Sequence, residues 1–335
     1  MKILIVVLNW NSREMTRDCL ASLLAMEGDA FKILVIDNGS RDGSVAFLRE
    51  TFPEIEVIAN GRNLGFAGGC NVGMKRAVAE NFEYVLLINN DTVVQPNLLA
   101  ELLAEAERSP KAGMVSPKIY CADNPDRIWW AGGAFSLWQG IPRHFGLKEK
   151  ERGRYEAACS MDWATGCAVL LRCDALREAG LFDEVFFANS EDLDLSLRMR
   201  SLGWEIRYAP AAELMHKEGF ATRRNVGEDV RYFTSTRNIL WLMHKHAKAY
   251  HWITFWPVFA GYYLPKLIRS PASRGDFRSC WAVFQGIAAF WKMLLHPGIS
   301  VLPPALKATT MPATAGENMV EPSVPCNENL EISRE

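Results

Sequence analysis

One aspartate in the sequence stands where a side chain can bind a ligand. Residues 84–88 form a continuous apolar run that is typical of a strand buried on both faces, and Asn89, Asn90 and Asp91 follow it directly. Ligands of open α/β sheets bind at the carboxyl ends of the strands, so Asp91 is the first candidate for a functional carboxylate. A plain strand-to-loop turn is the alternative, because Asn and Asp also favour turns.

A second acidic pair, Glu191 and Asp192, precedes a segment with two competing patterns. Leucine and methionine alternate along residues 193–199, as in a strand, but apolar residues also recur at helical spacing up to Leu202. We predict a helix over 193–202, because most of its residues are strong helix formers and Gly203 is a good C-terminal stop. The two acids would then stand at the helix N-terminus, where acids also occur merely as caps that oppose the helix dipole.

Alternating strands and helices would position these carboxylates. The predicted strands cover residues 3–8, 32–36, 55–58, 84–88 and 163–171, and helical patterns follow in short units. Asn11 and Glu14 have the spacing of a capping box at the start of the first helix. This order favours an α/β fold with a doubly wound, mostly parallel sheet, in which the polar loops meet at one edge.

A glycine-rich loop precedes the third predicted helix. Gly65, Gly68 and Gly69 would let the backbone approach a diphosphate or a ribose closely at a helix N-terminus. The three glycines do not form a GxGxxG pattern, which disfavours a dinucleotide-binding fold. Residues 121–160 contain several tryptophans without a helical period, and we interpret them as irregular hairpins.

Several motifs occur in one order along the chain. They are VVLNWNS at 6–12, DNGSRDGS at 37–44, NLGFAGGCN at 63–71, NND at 89–91, WATG at 163–166, GLFDEVFF at 180–187, EDLDLSLR at 191–198, and a histidine at 216. In this order they resemble family 2 inverting glycosyltransferases with the GT-A fold, which has a Rossmann-like nucleotide-binding half. The subgroup is similar to the rhamnosyltransferase-type enzymes of bacterial surface polysaccharide synthesis. The resemblance covers roughly residues 1–245.

The resemblance implies a role for individual residues. Asp91 corresponds to the last acid of a DxD motif that ligates Mg²⁺ or Mn²⁺, Asn89 replaces the first acid as a neutral ligand, and His216 is a further metal ligand. Asp37 would accept a hydrogen bond from the pyrimidine of the nucleotide, and Asp192 would be the catalytic base. The other implied donor-binding residues are Leu8, Asn9, Asn11, Asn63, Gly65, Phe66, Asn71 and Asn90, and the implied acceptor-binding residues are Trp163, Thr165, Gly166 and Glu191.

The composition limits the remaining possibilities. Hydrophobic residues make up 49% and charged residues 23%, which is typical of a globular protein, and the net charge of −2 gives no reason to expect nucleic acid as a partner. The eight cysteines form no CxxC pair and no zinc spacing. They indicate reduced core thiols in a cytoplasmic protein.

The character of the chain changes after Lys248. Residues 249–265 are aromatic and uncharged but too short and too interrupted for a spanning helix, and residues 279–291 form a second such stretch. Eleven Lys and Arg against three Asp and Glu give residues 221–300 a net charge of +8. We predict attachment to the inner face of the cell membrane, with a buried helical pair or an oligomer interface as alternatives.

These patterns divide the chain into four parts. Residues 1–115 would bind the nucleotide sugar, 116–247 the acceptor, 248–301 the membrane surface, and 302–335 would be a disordered tail. The expected function is inverting transfer of a sugar, with rhamnose as the candidate, from a dTDP- or UDP-sugar to a hydroxyl of a glycan or a lipid-linked glycan. The alternatives are a catalytically silent nucleotide- or glycan-binding relative and a sugar nucleotidyltransferase, although the latter has a Gly-rich loop after its first strand.

Overall fold

A computed structural model describes residues 2–28, 30–217, 227–296, 298–299, 301–303 and 306. The strands are β1 (Ile3–Asn9), β2 (Phe31–Asp37), β3 (Glu56–Ala59), β4 (Tyr84–Asn89), β5 (Thr92–Val94), β6 (Ala112–Cys121), β7 (Asn124–Trp130), β8 (Gly133–Ala134), β9 (Arg143–His144), β10 (Cys159–Met161), β11 (Ala168–Arg172) and β12 (Glu205–His216). The α-helices are α1 (Arg13–Leu24), α2 (Ser44–Thr51), α3 (Gly65–Ala79), α4 (Leu98–Arg108), α5 (Cys173–Ala179), α6 (Glu191–Ser201), α7 (Glu228–His246), α8 (His251–Val258), α9 (Leu264–Ala272) and α10 (Phe277–Leu295). A short 3₁₀ helix covers Glu184–Phe186, and a π-helix, Phe259–Tyr263, joins α8 to α9.

The N-terminal half of the sheet is parallel. β3, β2, β1 and β4 lie side by side in that order, and their apolar runs are buried between helices. The register places Asn9 beside Asp37 on one side and Leu8 beside Asn89 on the other. Because parallel strands end at the same edge, the polar residues after β1, β2 and β4 are brought together there.

The sheet continues without a break into the second half of the chain. β11 is antiparallel to both β4 and β6, while β12 runs parallel to β6 and pairs in the antiparallel sense with β5 and β10. β6 itself spans the position at which the sequence suggested a boundary, between residues 115 and 116. The two predicted halves therefore share one central, mostly parallel sheet, in which β11 lies antiparallel to both of its neighbours.

Two local predictions are wrong. Asn11 does not form a capping box, because Ser12 is the N-cap of α1 and the Asn11 side chain instead accepts a hydrogen bond from the Arg41 N–H. The strand predicted over 163–171 begins only at Ala168. Residues 163–167 leave the sheet, and the N–H of Gly166 in this segment binds a carboxylate of α6.

The C-terminal helices pack on the sheet domain through one face. Phe255, Phe259 and Phe290 join the main hydrophobic core, and α10 lies so close to α7 that a Cβ on Gly286 would meet the Phe233 carbonyl oxygen at 2.6 Å. The other face of α10 is apolar but exposed: its outward side chains, between 46% and 75% exposed, are Phe277, Trp281, Phe284, Trp291 and Leu295. Among the described residues, none of the helices has the length and apolar character needed to cross a membrane.

The first residues of the predicted tail contact the domain. Leu306 is buried, and it packs with Leu302 against Phe187 and Val230. The rest of that predicted segment lies outside the described residues.

Candidate active site

A cavity of about 510 Å³ opens at the carboxyl edge of the parallel strands. Its walls come from the ends of β1 and β4, the start of α3, the segment 163–167, and the loop before α6. Most of the residues predicted from the sequence line it, namely Leu8, Asn63, Gly65, Phe66, Asn89, Asn90, Asp91, Trp163, Thr165, Gly166, Glu191, Asp192 and His216. The fold therefore brings residues from distant parts of the sequence into one site.

Asp91 and His216 meet at one side of the cavity. His216 ends β12 and pairs with Thr92 of β5, and this register places its Nε2 atom 3.1 Å from Oδ1 of Asp91. Burial lowers the pKa of His216, but the neighbouring Cys167 and Asp91 outweigh it, and the net pKa is well above the usual histidine value. Apart from this ion-pair contact with His216, the buried Oδ1 of Asp91 accepts no hydrogen bond from the described residues, so it can take a further cationic partner.

The chemistry of these side chains fits a divalent metal ion. Asp91 supplies a carboxylate, Asn89 an amide oxygen and His216 an imidazole, which are ligand types that Mn²⁺ and, for the oxygens, Mg²⁺ accept. In the described part of the chain no three His, Cys, Asp or Glu side chains form a group that could hold a metal. The protein would thus supply only part of the coordination shell, and phosphate oxygens and water would have to complete it.

The carboxylate of Asp192 lines the same cavity from another element. It stands in the first turn of α6, where the N–H groups of Gly166 and Leu193 each donate to it at 2.8 Å. Burial raises the pKa of Asp192, and these two hydrogen bonds oppose the rise only in part. A carboxylate with a raised pKa, fixed in orientation and facing a cavity, can accept a proton from a bound hydroxyl group.

Glu191 is more deeply buried than its neighbour. Its side chain is 4% exposed, and Oε2 accepts no hydrogen bond from the described residues. Burial and the adjacent Asp192 raise the pKa of Glu191 well above the usual glutamate value. Glu191 therefore keeps its proton up to a higher pH than an exposed glutamate does.

Other predicted residues face inward instead of lining the cavity. Asn9 is fully buried, and its Nδ2 donates to Asp37 Oδ2 at 2.7 Å while its Oδ1 accepts from Thr16. Asp37 also accepts from the Ser40 N–H, and Asn90, which does line the cavity, donates its amide inward to Asn9 and Thr16. We call Asn9, Thr16, Asp37, Ser40 and Asn90 the inner network. It fixes the geometry of the three loops beneath the cavity.

Asn11 and Asn71 also bind other parts of the protein. Asn11 joins the α1 turn to the loop after β2 through Ser40 and Arg41. The Asn71 amide donates to the carbonyl of Phe182 and accepts from its N–H, so it fixes the start of the loop before α6.

The sequence analysis missed several residues of the cavity wall. Asn38 donates to Asn63 and to the Gly65 carbonyl, and it accepts from the Leu64 N–H. This amide therefore shapes the glycine-rich turn. The sequence did contain a signal for Asn38, because it directly follows Asp37. Also missed were Trp10, Trp129, Pro142, His144, Cys167 and residues 187–190.

Comparison with known proteins decides the family. The sequence profile of the glycosyl transferase family 2 matches residues 4–180, more than half of the chain. The chain belongs to glycosyl transferase family 2. It is a glycosyltransferase, and the prediction of the family from the sequence motifs is confirmed.

Two curated enzymes are similar to part of this family 2 glycosyltransferase. An N-acetylglucosaminyl-diphospho-decaprenol L-rhamnosyltransferase of Mycobacterium tuberculosis is 28% identical over 236 residues, which cover 62% of this chain and 73% of that protein. A poly-beta-1,6-N-acetyl-D-glucosamine synthase of Staphylococcus epidermidis is 26% identical over 61% of this chain, and the match spans 47% of the synthase.

Solved structures confirm the predicted GT-A α/β fold. GalNAc-T7, solved with UDP, GalNAc and Mn²⁺, superposes with a TM-score of 0.58 at 14% identity, and the match covers 91% of this chain and 59% of that protein. TarS residues 1–349 of S. aureus superpose with a TM-score of 0.51 at 15% identity, over 87% of this chain and 83% of that protein. At these identities the likeness concerns the fold alone.

Proposed function

We propose that this family 2 glycosyltransferase moves a sugar from a dTDP- or UDP-sugar to a hydroxyl of a glycan or a lipid-linked glycan, with inversion at the anomeric carbon. The observation that carries the proposal is the placement of Asp91 and Asp192 on different elements around one cavity. The name of the mycobacterial relative supports rhamnose as the sugar and a diphospholipid-linked glycan as the acceptor.

The donor would bind along the ends of β1 and β2 and the start of α3. Gly65 has a φ of 76° and no side chain, so the backbone there can approach the nucleotide closely. Leu8, Asn63 and Phe66 form the adjoining wall. Asp37 is 1% exposed and lies behind this wall, so its proposed contribution to donor binding is to hold the loops around the pyrimidine through its hydrogen bonds with Asn9 and Ser40, and not to accept a hydrogen bond from the pyrimidine directly.

Asp91, Asn89 and His216 would hold Mg²⁺ or Mn²⁺ at the diphosphate. When bound, the ion neutralises the charge that develops on the leaving diphosphate. The presence of Mn²⁺ in the GalNAc-T7 structure supports this choice. The pairing of β12 with β5 places His216 beside Thr92 and so next to Asp91, and Asn89 stands at the end of β4.

Asp192 would remove the proton from the acceptor hydroxyl. In a one-step inversion the hydroxyl attacks from the face opposite the diphosphate and must lose its proton as the new bond forms. Asp192 is fixed by Gly166 and Leu193 for this task. Trp163 and Thr165 line the same wall and would position the acceptor, while Glu191 would orient the segment around it.

Release of nucleoside diphosphate tests the proposal. We expect the purified protein with Mn²⁺ to release dTDP or UDP from one member of a panel that includes dTDP-rhamnose and UDP-N-acetylglucosamine, and a chelator to abolish release. Full activity in chelator would remove the metal from the mechanism. Binding of a donor without any release, with or without acceptor, would favour a catalytically silent relative.

The exposed face of α10 would attach the enzyme to a membrane surface at the inner face of the cell membrane. Its apolar side chains recur at the spacing of one helical face, and Arg278 and Lys292 stand beside them with Lys266 and Arg269 on α9. An aromatic face with basic neighbours suits the headgroup region of an anionic bilayer. Each basic residue near such a surface contributes about 1 kcal/mol to the binding free energy. A lipid-linked acceptor would be presented at such a surface.

Vesicle co-sedimentation tests the attachment. The full-length protein should sediment with vesicles of phosphatidylserine and phosphatidylcholine, less so at high salt, and Phe277→Ala with Trp281→Ala should remove most of the binding. Leu202→Ala, which truncates an exposed apolar residue on the sheet domain, is the matched control and should bind as the wild type does. Equal sedimentation of the double variant would show that this face does not bind lipid.

A further inference from the structure

The loop that leads into Asp192 has an unusual backbone. Phe187, Asn189 and Ser190 all have positive φ angles, of 63°, 71° and 75°, although none of them is glycine. Such conformations are unfavourable for L-residues and persist only where the surrounding structure determines them. The contacts that hold residues 187–190 are therefore the ones that determine where Asp192 stands.

One of these contacts is a buried arginine. Arg237 on α7 is 0% exposed, and its guanidinium donates to the carbonyls of Val185 (3.1 Å), Phe186 (2.7 Å) and Val301 (2.6 Å). Within the described ranges all the oxygens that accept from it are neutral, and burial lowers the pKa of Arg237 to about 10. Burying a guanidinium without a counterion costs desolvation free energy. We take this cost as a sign that the several N–H donors of Arg237 are needed where they are.

The next residue, Asn238, binds the same loop as Arg237 does. Asn238 Nδ2 lies 3.0 Å from the carbonyl of Phe186, 2.8 Å from that of Ala188 and 2.6 Å from that of Asn189, while its Oδ1 accepts from Arg237. One buried side-chain amide thus faces three carbonyls of the loop. From the same helix, Thr234 accepts a hydrogen bond from the Asn189 side chain.

The opposite side of the loop faces the donor site. The Phe187 carbonyl accepts from the Ala67 N–H at 3.1 Å, and a Cβ on Gly65 would meet that carbonyl oxygen at 2.5 Å. Residues 185–190 therefore lie between the turn proposed to bind the donor and the residue proposed as the base. Any shift of the loop would change the distance between donor and base.

We propose that Arg237 and Asn238 are positioning residues, which act through the loop 185–190 to hold Asp192 at the correct distance from the donor. The inference rests on the proposed function, since it takes Asp192 as the base. Neither residue lines the cavity, so neither touches the substrate. Their contribution is to the rate of the chemical step and not to donor binding.

Asn238→Ala tests the proposal, with Thr236→Val as the matched control. Thr236 is equally buried two residues earlier on the same helix, but its hydroxyl donates within α7, to the Tyr232 carbonyl. We expect kcat to fall about 10²-fold in Asn238→Ala, the effect of a misplacement of about 1 Å. The Kd of the nucleotide product, UDP or dTDP, should stay within about twofold, because the donor turn keeps its own contacts. Thr236→Val should keep its kcat.

Hydrogen exchange gives a readout that does not depend on activity. The amides of residues 186–190 should exchange at least about tenfold faster in Asn238→Ala and at the wild-type rate in Thr236→Val. If Asn238→Ala does not fold, Arg237→Lys serves instead, and the same pattern is expected. A lysine keeps the charge, but its single nitrogen cannot stand at the positions of the three guanidinium nitrogens, which reach separate acceptors.

Three outcomes would overturn the proposal that Arg237 and Asn238 position Asp192. They are unchanged hydrogen exchange of the loop amides in the folded variants, a kcat of Asn238→Ala within twofold of the wild type, or equal kinetic losses in Asn238→Ala and Thr236→Val. Asp192→Asn, measured in parallel, separates this from failure of the proposed function. If Asp192→Asn retains full turnover, the assignment of the base is wrong. The hydrogen-exchange rates still show whether Arg237 and Asn238 hold the loop.

Discussion

Two sets of buried polar atoms lie at the same edge of the sheet, and they differ in their hydrogen bonds. In the inner network, the side chains of Asn9 and Asp37 have their oxygen and nitrogen atoms paired with one another and with neighbouring loops. In the cavity, Oδ1 of Asp91 and Oε2 of Glu191 are also buried, but within the described residues Oε2 of Glu191 accepts no hydrogen bond and Oδ1 of Asp91 has only the ion-pair contact with His216.

The difference separates structure from function. A buried polar atom left without a partner costs about 1–3 kcal/mol, so a folded protein retains such atoms mainly where a ligand provides the partner. Residues of the inner network should therefore matter for stability. Residues with open atoms in the cavity should matter for turnover, and the following experiments can break or sharpen this distinction.

The largest effect is expected for Asp91→Ala. Loss of the carboxylate removes the anionic ligand of the metal, whose charge stabilisation is worth several kcal/mol, so nucleotide-sugar turnover should fall about 10³-fold or more. Initial rates of nucleotide release measure this, and Asp126→Ala, an exposed aspartate on β7, is the control. Near-normal turnover in Asp91→Ala would show that the Asp91 carboxylate is not needed for catalysis.

The next effect is expected for Asp192→Asn. The amide is nearly isosteric but cannot accept the proton, and general-base assistance is worth about 10²–10⁴-fold in rate. We expect turnover to fall by that factor while the Kd of the nucleotide is unchanged. Asp174→Asn, an exposed acid in the first turn of α5, is the matched control. Loss of nucleotide binding as severe as in Asp91→Ala would mean that Asp192 is not the base.

Asn9→Ala tests the other side of the comparison. It removes the donor to the Asp37 carboxylate and the acceptor for Thr16, so we expect a loss of about 2–3 kcal/mol in the free energy of unfolding. Urea denaturation measures the loss, and the folded fraction should retain most of its turnover. A variant that keeps wild-type stability but no longer binds nucleotide would show that Asn9 contacts the ligand.

The smallest effect is expected for Glu191→Gln. Because burial raises the pKa of Glu191 in the folded state, the folded protein binds this proton more tightly than the unfolded chain does. Wild-type stability is therefore lost as the pH rises from the ordinary glutamate range through the raised pKa. Glutamine does not titrate, so the variant should be relatively more stable at pH 8 than at pH 4.5. Melting curves at both values measure this, and an equal difference at both would contradict the raised pKa.

Much of the sheet could be predicted because its strands are apolar runs. The predicted strands 3–8, 32–36 and 84–88 agree with β1, β2 and β4 to within one residue at each end. The capping box at Asn11 failed for a physical reason: its side chain has a tertiary alternative in the Arg41 N–H, and spacing along the chain cannot show such a competitor.

The cavity could be predicted only in part. Motifs identified the loops, but they did not show that Asn9 and Asp37 face inward whereas Asn89 and Asp91 face the cavity, because that depends on packing between loops. The positive φ angles of Phe187, Asn189 and Ser190 have no glycine to indicate them. Arg237, which holds that loop, is separated from it by about fifty residues of sequence.

The register of β12 limits how the length of this chain can vary. Ala209 pairs with Pro117 and Glu213 with Lys118, so residues 210–212 form a bulge, after which regular pairing carries the strand to His216. An insertion or deletion of one residue between Glu213 and His216 would turn the imidazole to the opposite side of the strand, away from Asp91. Length differences between homologous chains should therefore occur in the hairpin segments between β7 and β10, and not in the last four residues of β12.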